Sequence, residues 1–237
     1  MGPRADPLPA DPEGSRVFQH QVAGQGAYLR PRRRMAERLA SADDGGRLRD
    51  ALATVPRHLL IPEALRGEAY RDVALPIGDG QTISAPGVVA AMTAALELRG
   101  HETVLEVGTG SGYQAAILAR LASRVVSIER LPGLAARART ALDRLGVANV
   151  VIYLGDGSLG RPADAPFDAI LVTAGGPAVP APLLDQLGPG GRLVGPFGSR
   201  EAQRLIRVRR TRDGRYVREL LGHCRFVDLI GTHGWVD

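Results

Sequence analysis

From Thr103 onward, short apolar runs alternate with stretches in which apolar residues recur every three or four positions. Runs at 103–107, 124–128, 150–154, 169–172 (after Phe167-Asp168) and 192–196 have the length and branched content of buried strands. Between them, 112–121, 132–145 and 180–187 predict helices. Strand and helix in alternation build a mostly parallel, doubly wound α/β sheet. The stretch Leu187-Gly188-Pro189-Gly190-Gly191 predicts a tight turn into the fifth strand. Beyond it the pattern changes: 204–210 and 216–226, joined at Asp213-Gly214, predict an antiparallel pair that closes the sheet.

Upstream, Met35 and Leu39, then Leu48, Leu52 and Val55, predict two short helices from about Arg32, broken at Asp43-Asp44-Gly45-Gly46. Pro56 and Pro62 stop helix formation around 57–61. The stretch 70–86 reads as a long loop with no periodicity to explain it, and long ordered loops tend to carry function. Pro86 starts a helix to about Leu98, and Ser84 just before it reads from position alone as a cap. Residues 1–30, with Pro3, Pro7, Pro9 and Pro12, predict a flexible arm, leaving 31–237 as a single domain.

Composition narrows the function classes. Of the 237 residues 44% are apolar, enough for a substantial core. A single cysteine, Cys224, excludes an internal disulfide and is expected to be a small buried strand residue, and the five scattered histidines suggest no metal site. No apolar run approaches the roughly 20 residues of a membrane span, and the N-terminus lacks a signal core, so the cytoplasm is the expected compartment. All 30 basic residues are arginines, spread along a chain of net charge +5. The densest cluster, Arg30, Arg32, Arg33 and Arg34, could meet nucleic acid or an acidic peptide, but most such runs are solvated faces. Nucleic acid is further disfavoured because the fourth strand runs into Thr173-Ala174-Gly175-Gly176, with no N/D-P-P-Y/F motif.

The candidate chemistry lies at Val104-Leu105-Glu106-Val107-Gly108-Thr109-Gly110-Ser111-Gly112, where a strand runs into a glycine turn and then a helix. Alternate glycines let backbone approach a ligand closely. A dinucleotide site wants a glycine where Tyr113 stands, and Glu106 would repel a phosphate while attracting a cation or amine. S-adenosylmethionine, cationic and free of phosphate, fits better than NAD. Glu129 ends the second strand about 20 residues on, the usual distance for an acid that accepts ribose hydroxyls, and Asp156-Gly157 after the third strand is placed for the adenine end. Singly, Glu129 or Asp156 is more often a helix cap or a solvated loop residue. Three strand-end acids in successive units favour the cofactor.

Several separate segments then carry a resemblance. Val55-Pro56-Arg57-His58-Leu59, Leu75-Pro76-Ile77-Gly78, Gln81-Thr82-Ile83-Ser84, Leu105 to Ala116, Gly155-Asp156-Gly157, Phe167-Asp168-Ala169-Ile170 and Arg225-Phe226-Val227 are similar to the protein-L-isoaspartate O-methyltransferases. The glycine turn is shared by S-adenosylmethionine enzymes generally, whereas the 81–84 segment singles out this family. The resemblance implies a Rossmann-like class I methyltransferase fold. It implies that Ser84 helps hold the substrate carboxylate, and that Thr82 and Ile83 border the cofactor. Gly108, Thr109, Gly110, Ser111, Gly112, Glu129, Asp156 and Gly157 would bind S-adenosylmethionine beside Glu106. Gln81, Arg225, Phe226 and Val227 would line the peptide groove. The implied activity is methyl transfer to the free carboxylate of L-isoaspartyl residues in damaged proteins or peptides, starting repair through a succinimide and leaving S-adenosylhomocysteine. The rival readings are methylation of one aspartate in a dedicated peptide partner, a nucleic-acid methyltransferase, and a non-catalytic cofactor-binding module. The chain departs from the family at Gly87, where a larger residue is common, and at Asp228, where proline is usual; it is expected to act as a monomer.

Overall fold

The computed structural model describes residues 26–39 and 46–236, so most of the expected arm and most of the break at 43–46 lie outside the described residues. Seven strands form one sheet in the order β5-β4-β3-β6-β7-β8-β9. They are β3 (Thr103–Val107), β4 (Arg124–Glu129), β5 (Val150–Leu154), β6 (Phe167–Val172), β7 (Leu187–Gly198), β8 (Gln203–Arg210) and β9 (Tyr216–Cys224). The first five are parallel; β8 and β9 add on antiparallel, as the change of pattern in the tail predicts. From β3 the chain builds outward to β5, then returns to lay β6 on the other side of β3. That reversal opens a crevice at the carboxyl ends of β3, β4 and β6, the place where such sheets bind ligands.

Both faces of the sheet are covered, unequally. On one face, Val104, Val125, Ile152 and Leu171 pack against α1 (Gly26–Leu39), α2 (Arg47–Thr54), α3 (Pro86–Ala95), α4 (Tyr113–Ala119) and α5 (Pro132–Arg144). Among the described residues, the opposite face, with Leu105, Val107, Val126 and Ile170, is covered by the short α6 (Ala181–Asp185) through Leu183, by Leu229 from the tail and by connecting residues such as Val179. No helix among the described residues is long and apolar enough to cross a membrane.

Five local expectations need correcting. Residues 26–30, expected in the arm, form the start of α1, where Tyr28 stacks on His58 with ring centroids 4.1 Å apart. The turn at 187–191 lies inside β7. Phe167 pairs with Leu187 and Ala169 with Arg192, so the residues between bulge out while the strand continues. The loop at 70–86 contains a hairpin, β1 (Leu75–Gly78) and β2 (Gln81–Ile83), turning at Asp79 (φ 53) and Gly80 (φ 69). Positive φ at both central residues is what a two-residue turn of this hand requires, and Asp-Gly provides it. Cys224, expected to be buried, is only half-buried at the end of β9.

The fifth correction frees Ser84. The N-cap of α3 is Ala85, and no side chain of the cap residue bonds to the helix. Asp72 does that task from outside: its Oδ1 accepts the Gly87 N–H at 2.6 Å. A Cβ at position 87 would stand 2.7 Å from Asp72 Oδ2. Gly87 therefore admits the capping carboxylate and does not widen the cavity described below. Gly87→Ala is expected to push Asp72 away and lower stability by about 1 kcal/mol, the usual worth of a cap. An unchanged midpoint in urea would remove Asp72 from that role.

Candidate active site

The glycine turn after β3 is held from both neighbouring strands. Gly108 donates to the Ile128 carbonyl at 2.8 Å, and Thr173 N–H to the Val107 carbonyl at 2.9 Å. The Thr173 hydroxyl reaches the carbonyls of Val107 (2.9 Å) and Gly108 (2.6 Å). Gly108 sits at φ 95, and a Cβ there would come within 2.5 Å of Thr173 Oγ1. Side chain and turn interlock.

Glu129, at the end of β4, grips the turn as well. One carboxylate oxygen accepts the Gly110 N–H at 2.9 Å and the other the Leu131 N–H at 3.0 Å. These contacts decide between ligands. The Gly108, Gly110 and Gly112 amides are spent on Ile128, Glu129 and Thr109, so a pyrophosphate would find few donors here and a carboxylate facing it. A ligand with hydroxyls and a positive charge suits the same wall. Each oxygen of Glu129 keeps lone pairs for a ribose hydroxyl.

Two hollows meet at the turn. One, of about 540 Å³, is lined by Gln81, Thr82, Gly108, Gly110, Glu129, Gly157 and Val227, with Arg130, Thr173 and the tail residues Asp228, Leu229 and Ile230. The other, of about 410 Å³, is lined by Thr82, Ile83, Ser84, Thr109, Ser111 and Gln114. Thr82, Gly108, Gly110 and Thr173 belong to both. The hairpin β1–β2 thus straps across the turn and sets Ser84 beside the place a cofactor would occupy.

Five of the expected site residues lie elsewhere. Glu106 has no exposed surface, and the wall in front of it is Val107 and Gly108. Strand alternation turns its side chain under the turn, where the Ser127 hydroxyl donates to Oε2 and Oε1 finds no partner. Burial, with Glu129 adding a like charge, pushes the Glu106 carboxyl up to about 8. Asp156 is committed to the tail: it accepts from the Ser158 N–H (2.9 Å) and hydroxyl (2.6 Å) and from the Thr232 N–H (2.7 Å). Although partial burial opposes them, these donors hold its carboxyl below the usual range. Its neighbour Gly157 is the residue on the wall, where a Cβ would meet Val107 Cγ1 at 2.5 Å. Gly112 is buried at the start of α4, behind both hollows. Arg225 is exposed outside them, and Phe226 packs on the core with its backbone clamped by the Gln203 amide at 2.7 and 3.1 Å, so Val227 alone of the three reaches the cavity.

Sequence reasoning gave no site role to Thr173, Leu229 or Ile230, and marked Asp228 only as a departure from the family. Thr173 follows the strand beside the reversal, a position that could have been singled out. The tail has no such signal, because long-range contacts place it: Leu229 N–H on the Gly175 carbonyl (2.8 Å), Trp235 Nε1–H on the same carbonyl (3.0 Å), and Arg200 on Asp228 (2.6 Å).

Known proteins match this chain over most of its length. The family model described as protein-L-isoaspartate(D-aspartate) O-methyltransferase matches residues 34–234. Protein-L-isoaspartate O-methyltransferase 1 of Syntrophobacter fumaroxidans is 58% identical over 189 residues, covering 80% of this chain and 88% of its own. The protein-L-isoaspartate O-methyltransferase of Trichlorobacter lovleyi is 56% identical over 220 residues, covering 93% and 94%. A solved structure named protein-L-isoaspartate O-methyltransferase superposes with a TM-score of 0.77 at 28% identity, covering 86% of this chain and 67% of that one. The chain belongs to the protein-L-isoaspartate(D-aspartate) O-methyltransferase family.

Proposed function

We propose that this chain methylates the free carboxylate of L-isoaspartyl residues in damaged proteins and peptides, with Ser84 as the residue that orients the acceptor. The observation that carries the reading is the placement of Ser84. Released from capping α3, it lines a hollow that shares Thr82, Gly108 and Gly110 with the hollow of Glu129. The cofactor, S-adenosylmethionine, supplies when bound a methyl group on a positively charged sulfur.

The protein's part is positional. An isoaspartyl carboxylate titrates near pH 4, so at neutral pH it is already an anionic nucleophile and needs no strong base. Ser84 donates one hydrogen bond to one carboxylate oxygen, leaving the other free to react. Glu129 accepts the ribose hydroxyls; Thr82, Ile83, Gly108, Thr109, Gly110 and Ser111 shape the floor between the two compartments; Gly157 leaves room at the adenine end. Gln81 and Val227 border the peptide, and Arg225 meets it beyond the cavity. Holding the partners in line, away from water, accounts for most of the acceleration. The neighbouring backbone nitrogen then attacks the ester carbonyl and expels methanol, which takes the nitrogen's proton, and the succinimide formed hydrolyses in part to normal aspartate. We place the enzyme in the cytoplasm as a monomer, with residues 31–237 as a single catalytic domain to which 26–30 add through α1.

Labelled S-adenosylmethionine, offered an isoaspartyl peptide beside its aspartyl counterpart, should leave base-labile label on the first alone. Label on the aspartyl form would favour the dedicated-partner reading, for which Asp228, ion-paired with Arg200 at the cavity mouth, is the departure to examine. Ser84→Ala should lower kcat/KM about 10- to 100-fold, the worth of a hydrogen bond to a charged group, with cofactor affinity nearly unchanged. Equal losses in both would take Ser84 out of the substrate role.

A further inference from the structure

The reaction as derived leaves one group unused: a fully buried carboxyl beneath the glycine turn. Glu106 pairs in register with Ser127 on β4, and the same position on β6 is the apolar Leu171. The Ser127 hydroxyl donates to Glu106 Oε2, and the Thr109 and Ser127 hydroxyls lie 2.6 Å apart. With its one proton on Glu106, Ser127 accepts from Thr109, and Thr109 lines the hollow that holds Ser84. A short hydroxyl chain therefore links the carboxyl to the cavity wall. Oε1 ends blind, with no partner and no water-accessible surface. Ser127 and Glu129 on β4 are the groups that act on the carboxyl, and Glu129 has the same sign. Among the described residues no cation offsets it.

An unpartnered carboxylate in such a place is expensive unless a proton or a nearby positive charge neutralises it. We propose that Glu106 is the buried counter-charge of the cofactor's sulfonium: the charged cofactor expels a proton from Glu106 to solvent, and the uncharged thioether product lets it return. Proton balance is one released on binding S-adenosylmethionine and one regained when S-adenosylhomocysteine replaces it. The site thereby discriminates substrate from product by charge, without touching the sulfur. The inference rests on the cofactor assigned above. It gives Glu106 a positioning role through the field, not a contact.

The sign follows from linkage. In the empty protein the carboxyl holds its proton up to about pH 8, and the bound sulfonium lowers that point. Affinity for S-adenosylmethionine should then rise with pH below about 8, by at most about tenfold per unit, and level off above it. Affinity for S-adenosylhomocysteine should lack this component. The cofactor's amino group titrates too, so the comparison is between wild type and Glu106→Gln. Calorimetry in buffers of different ionisation enthalpy should show that near pH 7 the wild type releases close to one proton more than the variant with S-adenosylmethionine, and the same number with S-adenosylhomocysteine. Glu106→Gln should also narrow the preference for the charged form about tenfold at about pH 8. Equal proton counts and equal preference in the two proteins would overturn the proposal. Binding of neither ligand by wild type would instead overturn the cofactor assignment. Should the variant fail to fold, infrared difference spectra of wild type decide: the protonated-carboxyl band must vanish with S-adenosylmethionine and persist with S-adenosylhomocysteine, and its persistence with both sinks the idea.

Discussion

Gly108→Ala is expected to weaken binding of S-adenosylmethionine by about a hundredfold and to destabilise the protein by about 3 kcal/mol. Two costs add. A side chain at φ 95 pays roughly 1–2 kcal/mol for a backbone region that L residues avoid. The new Cβ would also stand 2.5 Å from Thr173 Oγ1, so the threonine must rotate and surrender its bonds to the Val107 and Gly108 carbonyls, at about 1 kcal/mol each. Val107, Gly108 and Thr173 all line the cofactor compartment, so relief of the clash reshapes the surface a ligand would lie on. Urea denaturation and calorimetry on the same preparation measure the two effects. Adding Thr173→Ala to the variant removes the clash but not the φ penalty, so it should recover part of the stability. Recovery of nothing would mean that the backbone alone sets the cost; an unchanged single variant would mean that the turn yields more easily than its contacts indicate.

The parts of this protein legible in its sequence are those whose causes are local. β3 and β5 fall on the expected residues because each is an apolar run bounded by turn residues, and the antiparallel tail announces itself by alternation around Asp213-Gly214. The hairpin at 75–83 escaped because its strands are three and four residues long and one contains Pro76, too short for a period to show. The signal was nonetheless present in Asp79-Gly80 between Ile77 and Ile83. The acids divide on the same principle. Glu129 is the last residue of its strand and emerges at the crevice, whereas Glu106 is one residue short of the end of β3 and alternation turns it inward. Asp156 stands where an adenine-binding acid was expected, but its partner Thr232 lies 76 residues away, and no local pattern announces such a bond. The resemblance identified Ser84 as functional while position alone read it as a cap; the structure explains the difference, since the cap is supplied by Asp72 from 15 residues upstream of Gly87.

Glu129→Gln should lower affinity for S-adenosylmethionine and S-adenosylhomocysteine alike, by about a hundredfold or more, although the side chain keeps its size. The carboxylate faces two backbone donors, Gly110 N–H at 2.9 Å and Leu131 N–H at 3.0 Å, one on each oxygen. An amide has a single oxygen, so whichever way it turns its NH2 meets an N–H, and one bond of about 1.5–3 kcal/mol to a charged acceptor is lost. If Leu131 keeps the oxygen, the turn at Gly110 is released; if Gly110 keeps it, the start of α5 is. A ribose hydroxyl also loses one of its two acceptors. Because both cofactor forms share the ribose, the loss should be indiscriminate, in contrast to Glu106→Gln, which should penalise only the positively charged form. Side-by-side titration of both ligands against both variants separates a contact from a counter-charge. A Glu129→Gln protein that binds S-adenosylhomocysteine normally and S-adenosylmethionine poorly would reverse the two assignments, making the wall carboxylate the partner of the sulfonium and leaving Glu106 a purely structural group.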